Sequence, residues 1–177
     1  MEIKEIIEPR QKQAIAREIL EALPEWFGIP QAREQYIAQS AGQPFFAALQ
    51  EERPIGFCCL MPTGRDTVEL VVMGVCREYH RQGVGRALVE AAREHAAAAG
   101  YSFLQVKTVQ MGRYREFDET NRFYLSLGFR EFEVFPKLWD EGKPSQVYVM
   151  ALNNSKTPPS RILREGGVLP LCYSVAI

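Results

Sequence analysis

At 177 residues, the chain is long enough for one domain with a substantial core. Its formal net charge of −1 gives no general affinity for nucleic acid or an anionic membrane. Apolar residues at 46% and charged residues at 24% place it with ordinary soluble globular proteins. No run approaches the ~20 apolar residues of a membrane span, and "MEIKEIIEPR" is charged from its second residue, without an apolar signal core.

The four cysteines, Cys58, Cys59, Cys76 and Cys172, form no C-x-x-C pair, and there are two histidines. No metal site is expected from that set. Cys58 and Cys59 sit in the apolar run "IGFCCL" and read as small buried hydrophobes. A reducing, cytoplasmic setting fits.

In chain order, "EIKEII" predicts a first strand. "RQKQAIAREILEAL" carries Ala14, Ile15, Ile19 and Ala22 near helical spacing, with Pro24 as its end. "LPEWFGIP" reads as a loop. "PQAREQYIAQSAG" reads as a second helix with Pro30 in its first turn and Gly42 beyond its end. Two strands in "PFFAALQEERPIGFCCLMPTG" form a hairpin turning near Glu51–Pro54. "TVELVVMGVC" is nearly apolar throughout and predicts a strand buried on both faces.

After "REYHRQ", "GVGRALVEAAREHAAAAG" places Val84, Ala87, Leu88, Ala91, Ala92 and His95 on one helical stripe, with Gly100 as the stop. "YSFLQVKTV" is the following strand. A strand, a helix of that length and a strand make a parallel crossover. "DETNRFYLSLGF" predicts a short helix capped by Asp118 or Thr120 and stopped at Gly128–Phe129. "FREFEVFP" and "SQVYVMAL" are the last strands. The class is therefore α+β, mostly antiparallel with one parallel crossover. From Asn153, "NNSKTPPS" is linker-like, which sets a domain at 1–152 and a tail at 153–177. The tail reads equally as an extra strand, a dimer contact or an appended segment.

Gly83 and Gly85 open the long helix, where each costs about 1 kcal/mol relative to alanine in a helix interior. A helix N-terminus carries unpaired N–H groups and roughly half a positive charge. Glycines let an anion reach those groups, and Arg81 and Arg86 add charge at the rim, as in a phosphate cradle. A P-loop would need Gly-Lys-Ser/Thr where Gly85-Arg86-Ala87 stands, and a dinucleotide fingerprint would need glycine where Leu88 stands. A glycine-rich turn that binds nothing is the plain alternative.

With its flanks, "VVMGVCREYHRQGVGRALV" resembles the cofactor motif of the Gcn5-related N-acetyltransferases, the GNAT family. In that motif a buried strand, a short loop and a Gln/Arg-x-x-Gly-x-Gly/Ala segment lead into a helix. His80 departs from the first position of that segment. A second block, "TNRFYLSLGF", places Asn121 before Phe-Tyr and a later Gly-Phe, as the family does. The resemblance covers about residues 3–152. It implies a twisted, mostly antiparallel sheet of six to seven strands with about four helices, splayed after "VVMGV" where acyl-CoA binds.

The resemblance further implies an acyl-CoA, most simply acetyl-CoA, as cosubstrate, and no metal. The diphosphate is expected on the stretch His80, Arg81, Gln82, Gly83, Val84, Gly85 and Arg86. The pantetheine arm is expected on the backbone of Val75 and Met73, with Gly74 permitting a bulge or simply close packing. The Val75 N–H is the expected oxyanion donor. Tyr124 matches the family's acid to the departing thiolate. Asn121 is expected to bond the pantetheine or adenosine side, unless it is a cap or surface amide. Glu69 is the favoured base, against a plain exposed strand carboxylate; His80 and an acyl-carrying Cys76 are weaker candidates.

Trp26 and Phe27, with Phe135, Trp139, Asp140 and Glu141 of the 133–144 segment, are expected to wall the acceptor. Aromatics with carboxylates suit a cationic amine, and ordinary core packing is the alternative. The acceptor is a small-molecule or peptide amine, neither nucleic acid nor membrane, and a homodimer is one possible assembly. The expected activity is N-acyl transfer to a primary amine by direct attack. A catalytically silent acyl-CoA-binding or sensing module is the other reading.

Overall fold

The computed structural model describes residues 1–140 and 142–152; the expected tail, 153–177, lies outside the described residues. In chain order the elements are β1 (Glu2–Glu5), α1 (Pro9–Glu21), α2 (Pro24–Phe27), α3 (Pro30–Ser40), β2 (Phe45–Gln50), β3 (Arg53–Pro62), β4 (Thr67–Val75), a 3₁₀ turn (Arg77–Tyr79), α4 (Val84–Ala98), β5 (Phe103–Val109), α5 (Arg115–Ser126), β6 (Arg130–Asp140) and β7 (Lys143–Ala151). The seven strands form one sheet in the order β1-β2-β3-β4-β5-β7-β6. Only β4 and β5 are parallel, joined by α4 as the crossover. Every other pairing is antiparallel.

Helices cover both faces. α4 lays Val84, Leu88, Val89, Ala92 and Ala96 against one face, over Ile55, Leu70, Met73 and Val75. Burying a leucine such as Leu88 completely stabilises by roughly 1.5–3 kcal/mol. Tyr124 of α5 and Tyr148 of β7 join the same core. On the opposite face Ile15, Ile19, Leu20 and Leu23 of α1 and Tyr36 and Ile37 of α3 pack on Phe45, Phe57, Cys59 and Val72. Helices on both faces explain why β4 carries no polar alternation.

Several expectations are corrected. "LPEWF" is not loop throughout: Pro24 takes the first helical position of the single turn α2 instead of only ending α1. The described residues therefore hold five helices, one short turn more than the about four expected. The buried stripe of α4 is rotated toward Val89 and Ala96, leaving Ala87, Ala91 and His95 half-buried. α5 begins at Arg115 with Tyr114 as its uncapped N-cap; Asp118 instead accepts from the Gly112 N–H at 2.7 Å, and the Thr120 hydroxyl donates to the Glu116 carbonyl.

The β2–β3 hairpin turns on Glu51 and Glu52 alone, both left-handed at φ 50° and 66°. That turn type ordinarily selects glycine or asparagine. Among the described residues, no helix is long and apolar enough to cross a membrane, and no cluster of three His, Cys, Asp or Glu side chains is placed to hold a metal.

Candidate active site

The site grows from a fault in the sheet. In the β3–β4 ladder Cys59 pairs with Val72 and Leu60 with Leu70, so Val71 is an extra, bulged residue. Pairing between β4 and β5 stops at Glu69 and Gln105. The strands therefore part from Leu70 onward, earlier than expected. The bulge is at Val71 and not at Gly74, because Gly74 serves close packing: a Cβ there would lie 2.9 Å from the Ile19 Cγ2 and 3.2 Å from the Leu23 Cδ1 of α1.

Strand alternation decides what faces the seam. The Cys76 N–H donates to the Ile55 carbonyl of β3 at 2.9 Å. The backbone groups of Val75 and Met73 therefore point the other way, into the gap. One of them is already engaged: His80 Nε2 donates to the Val75 carbonyl at 2.8 Å. The Val75 N–H faces the seam, while its carbonyl is held by the side chain that departs from the family motif.

Beyond β4 the chain makes the 3₁₀ turn and then two left-handed residues, Arg81 at φ 59° and Gly83 at φ 86°. This kink sets α4 with its N-terminus toward the seam. Its N-cap, Gly83, offers no side-chain cap, and the first turn holds no acidic residue. The Ala87 N–H is the first to close back, on the Gly83 carbonyl at 3.0 Å. Those of Val84, Gly85 and Arg86 precede it in the first turn.

A cavity of about 480 Å³ opens there, lined by Val75, His80, Arg81, Gly83, Gly85 and Arg86, with Glu119, Arg122 and Phe123 from α5. Arg81 lies 3.6 Å from Glu119, whereas Arg86 and Arg122 make no ion pair among the described residues. Bare amides, a Cβ-free turn and two uncompensated guanidinium groups fit a diphosphate. Arg122, Glu119 and Phe123 went unread in the sequence, although the helical spacing of 119, 122, 123 and 126 would have put them on one face. Gln82 is exposed, and its side-chain amide donates to the Glu78 carbonyl at 2.6 Å. Val84 and Met73 are buried, leaving only their backbones for a ligand.

Tyr124 is fully buried, its ring edge-on to Phe123 and Phe129 at 5.3 Å each. Its hydroxyl has no hydrogen-bond partner among the described residues. Burial pushes its pKa well above the ordinary phenol value, with Cys58 and Glu69 adding to the rise. Those two neighbours, and its place in the core cluster that holds Met73 and Val106, put the ring on the side of the sheet where the strands part.

Glu69 lies on the opposite face, since Val68 and Leu70 belong to the Tyr124 side. It is 6% exposed, not an exposed strand carboxylate. Its Oε2 accepts from Gln105 Nε2 at 3.0 Å and from the Lys107 ammonium, which the sequence reading missed. The residues are 38 apart in the chain, and only the β4–β5 pairing brings them together.

Asn121 is turned inward. It is fully buried, with Nδ2 donating to the carbonyls of Val109 at 2.9 Å and Phe117 at 2.6 Å, and Oδ1 accepting from the Tyr148 hydroxyl at 2.5 Å. Both its donors are used, so it ties α5 to β5 and β7 and is not the expected ligand contact. Cys58, Cys59 and Cys76 are buried thiols with pKa values raised chiefly by burial, as inert structural cysteines have.

Trp26 and Phe27 line a second cavity, of about 110 Å³, with Arg33, Phe117 and Lys143. Phe27 is also core, edge-on to Tyr36 at 6.0 Å. Trp26 stands edge-on to His80 at 6.1 Å, which links this cavity to the seam. Phe135 and Trp139 lie on β6 and are absent from that cavity's wall. Asp140 ends β6, pairing by backbone with Lys143; Glu141 lies outside the described residues.

The fold is shared with known proteins. A family model described as the acetyltransferase (GNAT) domain matches residues 40–131. A Desulfovibrio desulfuricans protein assigned to the GNAT acetyltransferases superposes with a TM-score of 0.74 at 20% identity, over 85% of this chain and 98% of that one. The ribosomal-protein-S18-alanine N-acetyltransferase of Escherichia coli gives 0.70 at 17% identity, over 90% and 99%. Salmonella typhimurium YncA, solved with acetyl-CoA, gives 0.67 at 15%, over 90% and 98%. No curated protein matches the chain.

The family model covers more than half of the chain. The chain belongs to the GNAT family and is an acetyltransferase.

Proposed function

We propose that the protein moves an acetyl group from acetyl-CoA to a primary amine by direct attack, with Tyr124 serving the departing sulfur. The buried, unpartnered Tyr124 hydroxyl carries this reading. A phenol with no partner in a dry core costs stability, which a hydrogen bond to sulfur would offset.

The bound thioester supplies an activated acyl carbon. The amides of Val84, Gly85 and Arg86 hold its diphosphate, with Arg86 and Arg122 at the rim. The Val75 N–H meets the carbonyl oxygen as it gains charge. Glu69, on the opposite face from Tyr124, receives the proton of the attacking amine directly or through water, and Lys107 and Gln105 hold its carboxyl group in place. As the C–N bond forms and the C–S bond breaks, Tyr124 donates to sulfur.

In water, full transfer from a phenol of pKa ~10 to a thiolate of ~8.5 is uphill by about 2 kcal/mol. Burial raises Tyr124 further, so it acts chiefly as a hydrogen-bond donor to the departing sulfur.

Thiol release from acetyl-CoA over a panel of amines tests this. Tyr124→Phe is expected to lower kcat by about 10²-fold, within the range of acid–base contributions, with little change in KM for acetyl-CoA. Wild-type turnover in the variant would remove Tyr124 from the chemistry.

A further inference from the structure

The second cavity has a one-sided chemistry. Its unpartnered polar atoms are donors: Trp26 Nε1 and Arg33 Nε are both buried, and neither has a hydrogen-bond partner among the described residues. Among the described residues no carboxylate pairs with Arg33: the adjacent Glu34 is taken by Arg17, at 2.8 Å and 2.7 Å. Glu25, the one acid on the wall among the described residues, is bound by Arg77. Phe27, Ile29 and Phe117 supply the apolar side. A half-buried guanidinium without a counter-ion, beside an orphan indole N–H, is a poor receptor for an ammonium group and a good one for an oxyanion.

We infer that the acceptor amine also carries a carboxylate, which docks on Arg33 and Trp26, and that the acceptor is an apolar amino acid. The inference rests on the acetyl-transfer reading above and names the substrate class of the same site. It reverses the sequence-based expectation of a cationic acceptor, which took the aromatics of this region with Asp140 and Glu141. Trp26 carries the geometry: its ring abuts His80, which holds the Val75 carbonyl at the seam. A carboxylate held by the indole N–H therefore leaves an amine on the neighbouring carbon close to the acyl position. Phe117 and Ile29 receive the side chain. The size, about 110 Å³, suits a small acid.

The test compares leucine, leucinamide and isoamylamine as acceptors with acetyl-CoA, in the wild type, Arg33→Gln and Arg33→Lys. The side chain is constant and only the carboxylate changes. Leucine is expected to have at least a tenfold higher kcat/KM than the other two. Arg33→Gln is expected to erase that ratio through KM, and Arg33→Lys to restore part of it. Equal or better turnover of leucinamide and isoamylamine, or a leucine preference that survives Arg33→Gln, overturns the inference and leaves the acetyl-transfer reading standing.

Leucine binding with CoA present, read by tryptophan fluorescence, separates the two failures. Arginine-dependent binding without thiol release from any of the three supports the carboxylate site and rejects the chemistry. Absence of both binding and release overturns the inference. Melting temperatures of the variants control for folding.

Discussion

Asn121 shows how a single side chain can resemble a ligand contact and do other work. Its three hydrogen bonds span α5, β5 and β7, and each partner is buried or main-chain. Removing the amide leaves the Val109 carbonyl and the Tyr148 hydroxyl without it in a dry place. Asn121→Ala is expected to cost about 2–4 kcal/mol, counting roughly 1–3 kcal/mol for each buried group left unpaired. A melting temperature lowered by several degrees, with KM for acetyl-CoA nearly unchanged, is the expected pair of readings. A raised KM without loss of stability would return Asn121 to the ligand.

The sequence could not distinguish these roles, because Val109 and Tyr148 are far along the chain. Tyr124 drew notice in the sequence because its place in Phe-Tyr beside Gly-Phe is local, while its burial needed the fold. The Glu69–Lys107 pair was not, because each residue alone reads as an ordinary strand charge.

At the scale of elements, local signals read well and packing signals did not. The start of α4 was legible from Gly83 because a left-handed N-cap at φ 86° has few other occupants. The start of α5 was missed by several residues because its N-cap, Tyr114, contributes no side-chain hydrogen bond. Asp118, which looks like a cap, spends its carboxylate on Gly112. Gly74 looked like a bulge because glycine there is ambiguous until α1 is seen lying across it.

The start of α4 also carries a prediction. Gly85 is buried at the cavity wall. Gly85→Val is expected to raise KM for acetyl-CoA at least tenfold and to abolish the thermal shift given by CoA, with the far-ultraviolet circular dichroism intact. A preserved shift would move the diphosphate elsewhere.

For the molecule as a whole, the buried thiols and phenols set an alkaline limit. Burial raises Cys58, Cys59 and Tyr124 well above their ordinary values and pushes Tyr148 up to about 12. In the unfolded chain these groups lose protons from pH ~8.5 for the thiols and ~10 for the phenols. Above those values the unfolded state binds fewer protons than the native one, so stability falls as pH rises. Below them the two states hold the same protons, and the contribution is fully present. Each group costs about 1.4 kcal/mol per pH unit between its two values. Urea midpoints are expected to be level from pH 7 to 8 and to drop steeply from 9 to 11. Cys58→Ala is expected to shallow that drop, and an equal drop would exclude the thiol as its source.

The early parting of β4 from β5 has a further consequence for handling the protein. A split ladder exposes hydrogen-bonding rims in the middle of a sheet, where most proteins have none. Main-chain amides do not discriminate between a cosubstrate arm and any extended peptide that fits the slot. A neighbouring molecule's strand would compete for the same groove, and a cosubstrate bound as proposed would keep it out.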